Sequence, residues 1–384
     1  MSNEVNADRP LRVCFFGTYR PGYVRNQVMI DGLRSQGVTV YECHSTLWQS
    51  EADRVEQASG GWKHPRFLWR VLVAYWRLLR AHWRTPGYDV MLVGYPGQFD
   101  VYLGRLLTWW RAKPMALDIL MSLHLIAEER GLTQKSPFTG WLIFWLEKVG
   151  LKLPDLLLAD TAEYEAYYVQ KYNLLPERFR RVPLGVDDRV YYPRSHLKPP
   201  SDCFRVIYYG TFIPLHGVPT IIEAAAALQR YPHIHFDLYG DGQERSRAEQ
   251  LAQELGLKNV CFRGWIDKEA LPDEISRSHV CLGVFGTTKQ SRCTIQNKIW
   301  EGMIMQRPVI TGDSETSRAE FDHKQHLYLV ERDNPQALAA AILELEANPD
   351  LCRQMARTAY NRVQQNTVAA IGQRTRQALQ SLRQ

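Results

Sequence analysis

Side chains suited to a phosphorylated, hydroxyl-rich ligand concentrate in KQSRCTIQNKIWEGMIMQRPVIT, a polar loop entering a helix that ends before the apolar run at 308–311. Backbone N–H groups at a helix start lack partners inside the helix and attract anions, which makes Thr294, Ile295 and Gln296 a candidate phosphate cradle. Lys298 or Arg292 would supply its positive charge. Glu301 follows on the same helix, and the two oxygens of a carboxylate match a vicinal diol such as that of ribose. The competing role for Glu301 is a solvated helix surface, against which Ile299, Trp300 and Met303 mark the helix as substantially buried.

Other turns share this chemistry. In VIYYGTFIPLHGVPTIIEAAAAL a strand ends at Gly210, and Thr211 and His216 flank a helix entrance where a diphosphate would settle; the alternative is a helix cap beside a solvated histidine. In FDLYGDGQE, Gly240, Asp241 and Gly242 leave another strand through a common, weakly specific turn. Trp265, in CFRGWIDKEALP, stands either at a nucleotide base pocket or in ordinary hydrophobic packing. Near the start of the chain, FFGTYRPGYVRNQ passes from a strand through Gly17, Thr18, Tyr19, Arg20, Gly22 and Tyr23 to a helix beginning near Arg25. Its glycines permit tight turns, and Arg20 and Arg25 bring charge.

Such turns work only on a scaffold that gathers strand ends along one edge. Short apolar runs alternate with helical periodicity from end to end, which predicts an α/β protein with parallel sheets covered by helices on both faces. Strands are expected at 11–16, 38–41, 89–93, 114–118 and 155–158, and a second set at 204–209, 235–239, 260–262, 280–284, 308–311 and 327–330. Helices of the second set should start near His216, Gln243, Leu271, Thr294 and Pro335. The Pro-rich, non-periodic stretch 183–200 reads as a hinge between the sets. Domains at 1–185 and 186–365 follow, with a C-terminal helix at 366–384 packing back on the first.

Composition narrows the function. The chain has 384 residues, enough for two domains. Lys and Arg number 47 against 41 for Asp and Glu, a net charge of +6, which suits an anionic ligand or membrane surface and falls short of a nucleic-acid binder. The seven cysteines are scattered, with no Cys-x-x-Cys pair, so neither a disulfide framework nor a zinc knuckle is expected and a cytoplasmic setting fits. The polar start MSNEVNADRP predicts no export signal, and no apolar run reaches the ~20 residues needed to span a bilayer. Any membrane association is expected to be peripheral.

The motifs in order, namely the first loop, LLLADTAEYEAYYV, LGVDDRVYYP, YYGTFIPLHGV, LYGDGQE, the WEGM and RPVI block and LVERDNPQALAAAI, give the sequence a resemblance to the family-4 retaining glycosyltransferases, also described as glycosyl transferases group 1. The resemblance covers nearly the whole chain. It implies the GT-B fold, two Rossmann-like domains whose sheets face across a cleft, with a nucleotide diphosphate sugar on the second domain and an acceptor on the first. Residues 210, 211, 240, 241, 265, 292–297 and 301 are then donor-binding, and Gly17, Thr18, Tyr19, Arg20, Tyr23 and Ser122 lie on the acceptor side. Glu301, Lys298, His216 and His124 are the catalytic candidates, with Asp118 and Glu128 near His124. The sequence departs from the family where the first of two glutamates falls on Cys293 and where the Arg and Lys of the phosphate turn fall on Thr211 and His216. The Asn297-Lys298 pair before Glu301 would compensate. No cofactor and no metal are implied, since the chain contains no Asp-x-Asp.

The segment PRFLWRVLVAYWRLLRAHWR, residues 65–84, carries Trp69, Trp76 and Trp83 at seven-residue spacing among arginines. It reads either as an interfacial helix on an anionic membrane, suited to a glycan or lipid-linked acceptor, or as an amphipathic cover for the first sheet. Two rival functions stand beside sugar transfer. One is an inactive, binding or regulatory relative. The other, a dinucleotide oxidoreductase, is not supported, because GTYRPG lacks the Gly-x-Gly-x-x-Gly turn.

Overall fold

The computed structural model describes residues 9–19, 22–47 and 65–383. It divides into two units, one running to Pro183 and resuming at Val368, the other spanning Leu184–Thr367. In the first unit the elements are β1 (Arg12–Gly17), α1 (Val24–Ser35), β2 (Thr39–His44), α2 (Pro65–Arg84), β3 (Val90–Val93), α3 (Asp100–Arg111) and β4 (Met115–Asp118). They continue with α4 (Leu123–Glu129), α5 (Leu132–Lys135), α6 (Pro137–Gly150), β5 (Leu156–Ala159), α7 (Ala162–Tyr172) and β6 (Phe179–Arg181). The second unit has β7 (Phe204–Tyr209), α8 (Val218–Ala227), β8 (Ile234–Tyr239), α9 (Arg245–Glu254), β9 (Val260–Gly264), α10 (Leu271–Ser276) and β10 (Val280–Leu282). Then come α11 (Lys289–Cys293), α12 (Asn297–Ile304), β11 (Val309–Gly312), α13 (Glu315–Glu320), β12 (Tyr328–Val330), α14 (Pro335–Ala347) and α15 (Pro349–Val363), before α16 (Val368–Gln380) rejoins the first unit.

Each unit holds a six-stranded parallel sheet, ordered β2-β1-β3-β4-β5-β6 and β12-β11-β10-β7-β8-β9. Strands β3, β4 and β5 are buried at every position because helices cover both faces of a parallel sheet; β3 and β5 read as unbroken apolar runs, and β4 ends on the buried, ion-paired Asp118. The edge strand β6, with the sequence Phe-Arg-Arg and two exposed arginines, was not expected, because an edge carries no apolar run. Strand order reverses between β1 and β3 in one sheet and between β7 and β10 in the other. Ligands of such sheets sit at those switch points, beyond the C-terminal strand ends.

The chain end belongs to the first core. Val368, Ile371, Ala378 and Leu379 of α16 pack with Leu11, Val13 and Phe15 and with Met29 and Leu33 of α1. The two helices meet at Gly32 and Gly372, where a Cβ on Gly372 would stand 2.0 Å from the Gly32 carbonyl oxygen. Gly372→Val should therefore lift α16 from α1 and destabilise the first unit by about 2–3 kcal/mol in urea unfolding. An unchanged unfolding midpoint would mean that this backbone contact is dispensable.

Candidate functional site

At the switch point of the second sheet, β7 hands over to Gly210 at φ 140° and β8 to Gly240 at φ 128°, conformations that favour glycine. The two turns touch: a Cβ on Gly240 would lie 2.0 Å from the Gly210 carbonyl oxygen. The loop after β10 closes the other side, since a Cβ on Gly217 would lie 2.4 Å from the Gly286 nitrogen.

Into this turn points Lys298, from the first turn of α12. Its ammonium is buried, has no hydrogen-bond partner among the described residues, and sits 4.2 Å over the Tyr208 ring. A Cβ on Gly210 would stand 2.8 Å from Nζ. Burial lowers the Lys298 pKa to about 7, with the carboxylate of Glu301 opposing the fall. Burial likewise raises Glu301 to about 7, against the pull of Lys298, Tyr209, Lys268 and Tyr191. Glu301 is only 7% exposed, so the solvated-surface alternative for it fails. Tyr209 also donates its hydroxyl to the Lys298 carbonyl at 3.1 Å, pinning the start of α12 to the end of β7.

The residues just before Lys298 share its condition. Oγ1 of Thr294, both amide atoms of Gln296 and Oδ1 of Asn297 are buried without hydrogen-bond partners. Native interiors seldom tolerate such groups, each costing about 1–3 kcal/mol, unless a ligand or solvent meets them. The helix begins at Asn297 and not near Thr294. The Thr288 side chain accepts from Ser291 N and starts the separate short helix α11, leaving Thr294 extended at φ −123°, ψ 143°. Ile295 is buried here as well, and Cys293, at the end of α11, is 8% exposed.

Other candidates take different roles from those expected. His216 is buried, not solvated; burial and the nearby Lys298 push its pKa well below the ordinary value, so the ring is neutral. Its Nδ1 pairs with the Thr211 carbonyl and lies 2.9 Å from the Tyr208 hydroxyl. It therefore holds the turn and brings no charge to it. Arg292 faces solvent, and its carbonyl accepts from Thr316. Asp241 is exposed and closes its own turn by accepting from Gly242 N at 2.7 Å. Trp265 is 67% exposed and so is not core packing.

At the first sheet's switch point, Gly17 has φ 139° and Thr18 donates from N and Oγ1 to Asp100, at 2.6 and 3.0 Å. Burial raises Asp100 to about 6, opposed by the Thr18 and Tyr75 bonds. Tyr19 is fully buried with its ring edge-on to Phe15, while Tyr23 packs against Tyr95; Arg20 lies outside the described residues. Arg25 carries no spare charge for a ligand, because it is buried in a 2.7 Å ion pair with Asp118 and donates to the Val182 carbonyl. Ser122 caps α4 by accepting from Leu125 N and donates to Glu147 at 2.7 Å. Nδ1 of half-buried His124 lies 4.0 Å from Glu128, beyond hydrogen-bond reach, and the ring meets the face of Phe144.

Sequence reasoning missed several residues that fix these groups. Buried Glu147 accepts from Ser122, Leu123 N, His124 N and Tyr172, and so anchors the start of the helix that carries His124. As the lone acid in the apolar segment WLIFWLEKVG it was detectable. Tyr191, Tyr208, Tyr209 and Lys268 around the Lys298 and Glu301 pair gave no such signal. Among the described residues no group of three or more His, Cys, Asp or Glu side chains is arranged to hold a metal. A concavity lined by Cys203, His279, Arg307 and Cys352 lies at the opposite, N-terminal ends of the second unit's strands, and none of the candidate residues lines it.

With this geometry in place, comparison with known proteins adds that residues 203–348 match the family described as Glycosyl transferases group 1. The lipopolysaccharide core biosynthesis glycosyltransferase LpsD of Rhizobium meliloti is 29% identical over 159 residues, which cover 41% of this chain and 43% of that protein. The chain thus matches less than half of that relative's length. Among solved structures, the sucrose-phosphate synthase of Thermosynechococcus elongatus superposes with a TM-score of 0.72 at 19% identity, covering 97% of this chain and 99% of that one. Anabaena HepE, solved in complex with UDP-glucose, gives 0.70 at 18% identity, covering 97% and 100%. The chain has the GT-B fold, and its residues 203–348 are similar to the family described as Glycosyl transferases group 1.

Proposed function

We propose that this protein is a metal-independent, retaining hexosyltransferase, moving a sugar from a nucleoside diphosphate donor to a hydroxyl of a glycan or lipid-linked acceptor in glycoconjugate biosynthesis. The observation that carries the proposal is the cluster of buried, unpartnered polar atoms on Thr294, Gln296, Asn297 and Lys298, with the Lys298 ammonium at the Gly210 turn. The relatives' names, lipopolysaccharide core biosynthesis and a UDP-glucose complex, support the donor class and the pathway type. Work at a membrane's cytoplasmic face, with residues 65–84 against anionic lipid, completes the reading. No described helix is long and apolar enough to cross a membrane.

In this mechanism the diphosphate lies on the start of α12, with the ammonium of Lys298 beside it and Glu301 accepting from the ribose hydroxyls. The bond from the anomeric carbon to the phosphate oxygen breaks while the acceptor oxygen attacks the same face, through an oxocarbenium-like state. The acceptor proton passes to the departing phosphate oxygen, so no separate protein base is needed. Fixed N–H groups and one buried cation stabilise the leaving charge without reorganisation. His216 contributes position only, by holding the Thr211 carbonyl. Ser122 and His124 sit on the acceptor side, kept in register by Glu147. The altered phosphate turn at Thr211 and His216 does not by itself favour the inactive-relative reading, because Lys298 supplies a buried cation close to that turn.

UDP should raise the melting temperature in the presence or absence of EDTA, and Glu301→Ala should weaken UDP binding about 10- to 100-fold in calorimetry. An EDTA-sensitive shift would remove the metal-free mechanism, and unchanged affinity in the variant would remove Glu301 from the ribose.

A pH dependence follows from the same pair. Lys298 loses its proton as pH rises through about 7, and with it the charge that meets a diphosphate. Glu301 gains a proton as pH falls through about 7 and ceases to be a carboxylate. UDP affinity should therefore peak near neutrality and fall on the alkaline side by up to about tenfold per pH unit. Lys298→Met should bind more weakly at the optimum and lose the alkaline limb. An alkaline limb that persists in the variant would assign the titration to another group.

A further inference from the structure

The chain has 11 tryptophans, and seven of them lie between 42% and 70% exposed on only three helices. They are Trp69, Trp76 and Trp83 on α2, Trp109 and Trp110 on α3, and Trp141 and Trp145 on α6. Leaving so much indole in water is costly unless a partner covers it.

Topology gathers these helices on one side. The crossovers from β2 to β3 through α2, β3 to β4 through α3, and β4 to β5 through α6 all step the same way across the sheet, whereas β1 to β2 through α1 steps back. Right-handed crossovers then put α2, α3 and α6 side by side on one face, with α7 of the β5 to β6 crossover beyond α6, and α1 and α16 on the other. Contacts bear out the adjacency: the Trp83 and Trp110 rings are 5.7 Å apart, Arg111 donates to the His82 carbonyl at 2.9 Å, and Tyr102 donates to the Leu146 carbonyl at 2.6 Å.

Charge identifies the occupant. Helix α2 carries five arginines and no acid; α3 adds Arg111 and Arg105, the latter paired with Asp155 at 2.9 Å, and α6 adds Lys148. The only acids on the three helices, Asp100 and Glu147, are buried and paired inward with Thr18 and Ser122. Cations and indoles sit together, with Arg80 5.3 Å from the Trp76 ring, Arg105 5.3 Å from Trp109 and Lys148 4.8 Å from Trp145. Indole with interleaved cations is the composition of a surface lying in the headgroup layer of an anionic bilayer. A second copy of the same face would meet it with like charge, which disfavours self-association.

We infer that α2, α3 and α6 together form one docking surface for an anionic lipid bilayer, extending the contact proposed for residues 65–84 to two further helices. The surface depends on none of the donor-site residues. It is also joined to the acceptor side: the helix that exposes Trp141 and Trp145 supplies Glu147, the carboxylate that fixes the start of α4.

The test uses the full chain with vesicles of phosphatidylcholine alone, and of phosphatidylcholine with about one part in three phosphatidylglycerol. The protein should sediment with the anionic vesicles only, with blue-shifted indole emission. The double variant Trp141→Ser, Trp145→Ser should bind them at least about tenfold more weakly. Trp265→Ser, exposed on the second unit, should bind as the parent does. No sedimentation with anionic vesicles, equal sedimentation with both kinds, or an unaffected double variant would each overturn the inference. A DNA duplex that displaces the vesicles would overturn it in favour of nucleic acid. Far-UV circular dichroism and the urea unfolding midpoint of the double variant, compared with the parent's, report its fold. Loss of UDP binding in the parent with vesicle binding intact would sink the sugar-transfer reading and leave this surface standing.

Discussion

Burial of the Lys298 ammonium against the end of β7 sets the terms for everything around it. A charge removed from water needs compensation, and the structure supplies Glu301 three residues along the same helix and the face of Tyr208 below. The turn after β7 takes glycine because position 210 has φ 140°, and a Cβ there would also stand 2.8 Å from the Lys298 Nζ. Gly240 follows from Gly210 in turn, since its neighbour's carbonyl fills the place of a side chain. The glycine turns that look weakly specific one at a time thus interlock beside one buried cation.

The first unit solves the equivalent problem with the opposite sign. Its switch-point turn rests on Asp100, which accepts from Thr18 and takes up the space beside Gly17. The neighbouring buried arginine is neutralised by Asp118, and the next strand-end helix is seated on Glu147. Carboxylates hold the loops of one unit, and a cation with unpaired donors waits in the other. If the reaction is the one proposed, this asymmetry assigns the ligands: the anionic diphosphate belongs with Lys298, and the uncharged acceptor hydroxyl belongs with loops whose charges are already paired.

Much of this was legible in the sequence, for identifiable reasons. Strands buried on both faces produce apolar runs that locate them within one or two residues, as at β3, β4, β5 and β7. Edge strand β6 had no such run, since two of its three residues are exposed arginines. The Lys298 and Glu301 helix was found because Ile299, Trp300 and Met303 announced burial. Its starting point was misjudged because a Thr288 cap three residues before Ser291 makes a short helix that resembles the first turn of the longer one. Arg25 and His216 illustrate a harder limit. Their types suggest charge at a ligand, yet whether an arginine is already paired, or a histidine is neutral, depends on partners 93 and 82 residues away, Asp118 and Lys298.

The resemblance to family members with basic residues at positions 211 and 216 gives the position of Lys298 a further meaning. Position 211 is only partly buried, so a basic side chain there would keep its charge, whereas position 216 lies in the core. Moving the cation onto α12 places it in the core, where its charge depends on what lies beside it. With Glu301 alone as partner the ammonium is held near its titration point; a diphosphate in the turn would add negative charge and favour the protonated form. A second fixed cation in the turn would repel Lys298, and the neutral imidazole, bonded to the Thr211 carbonyl, keeps the turn closed around it without adding charge.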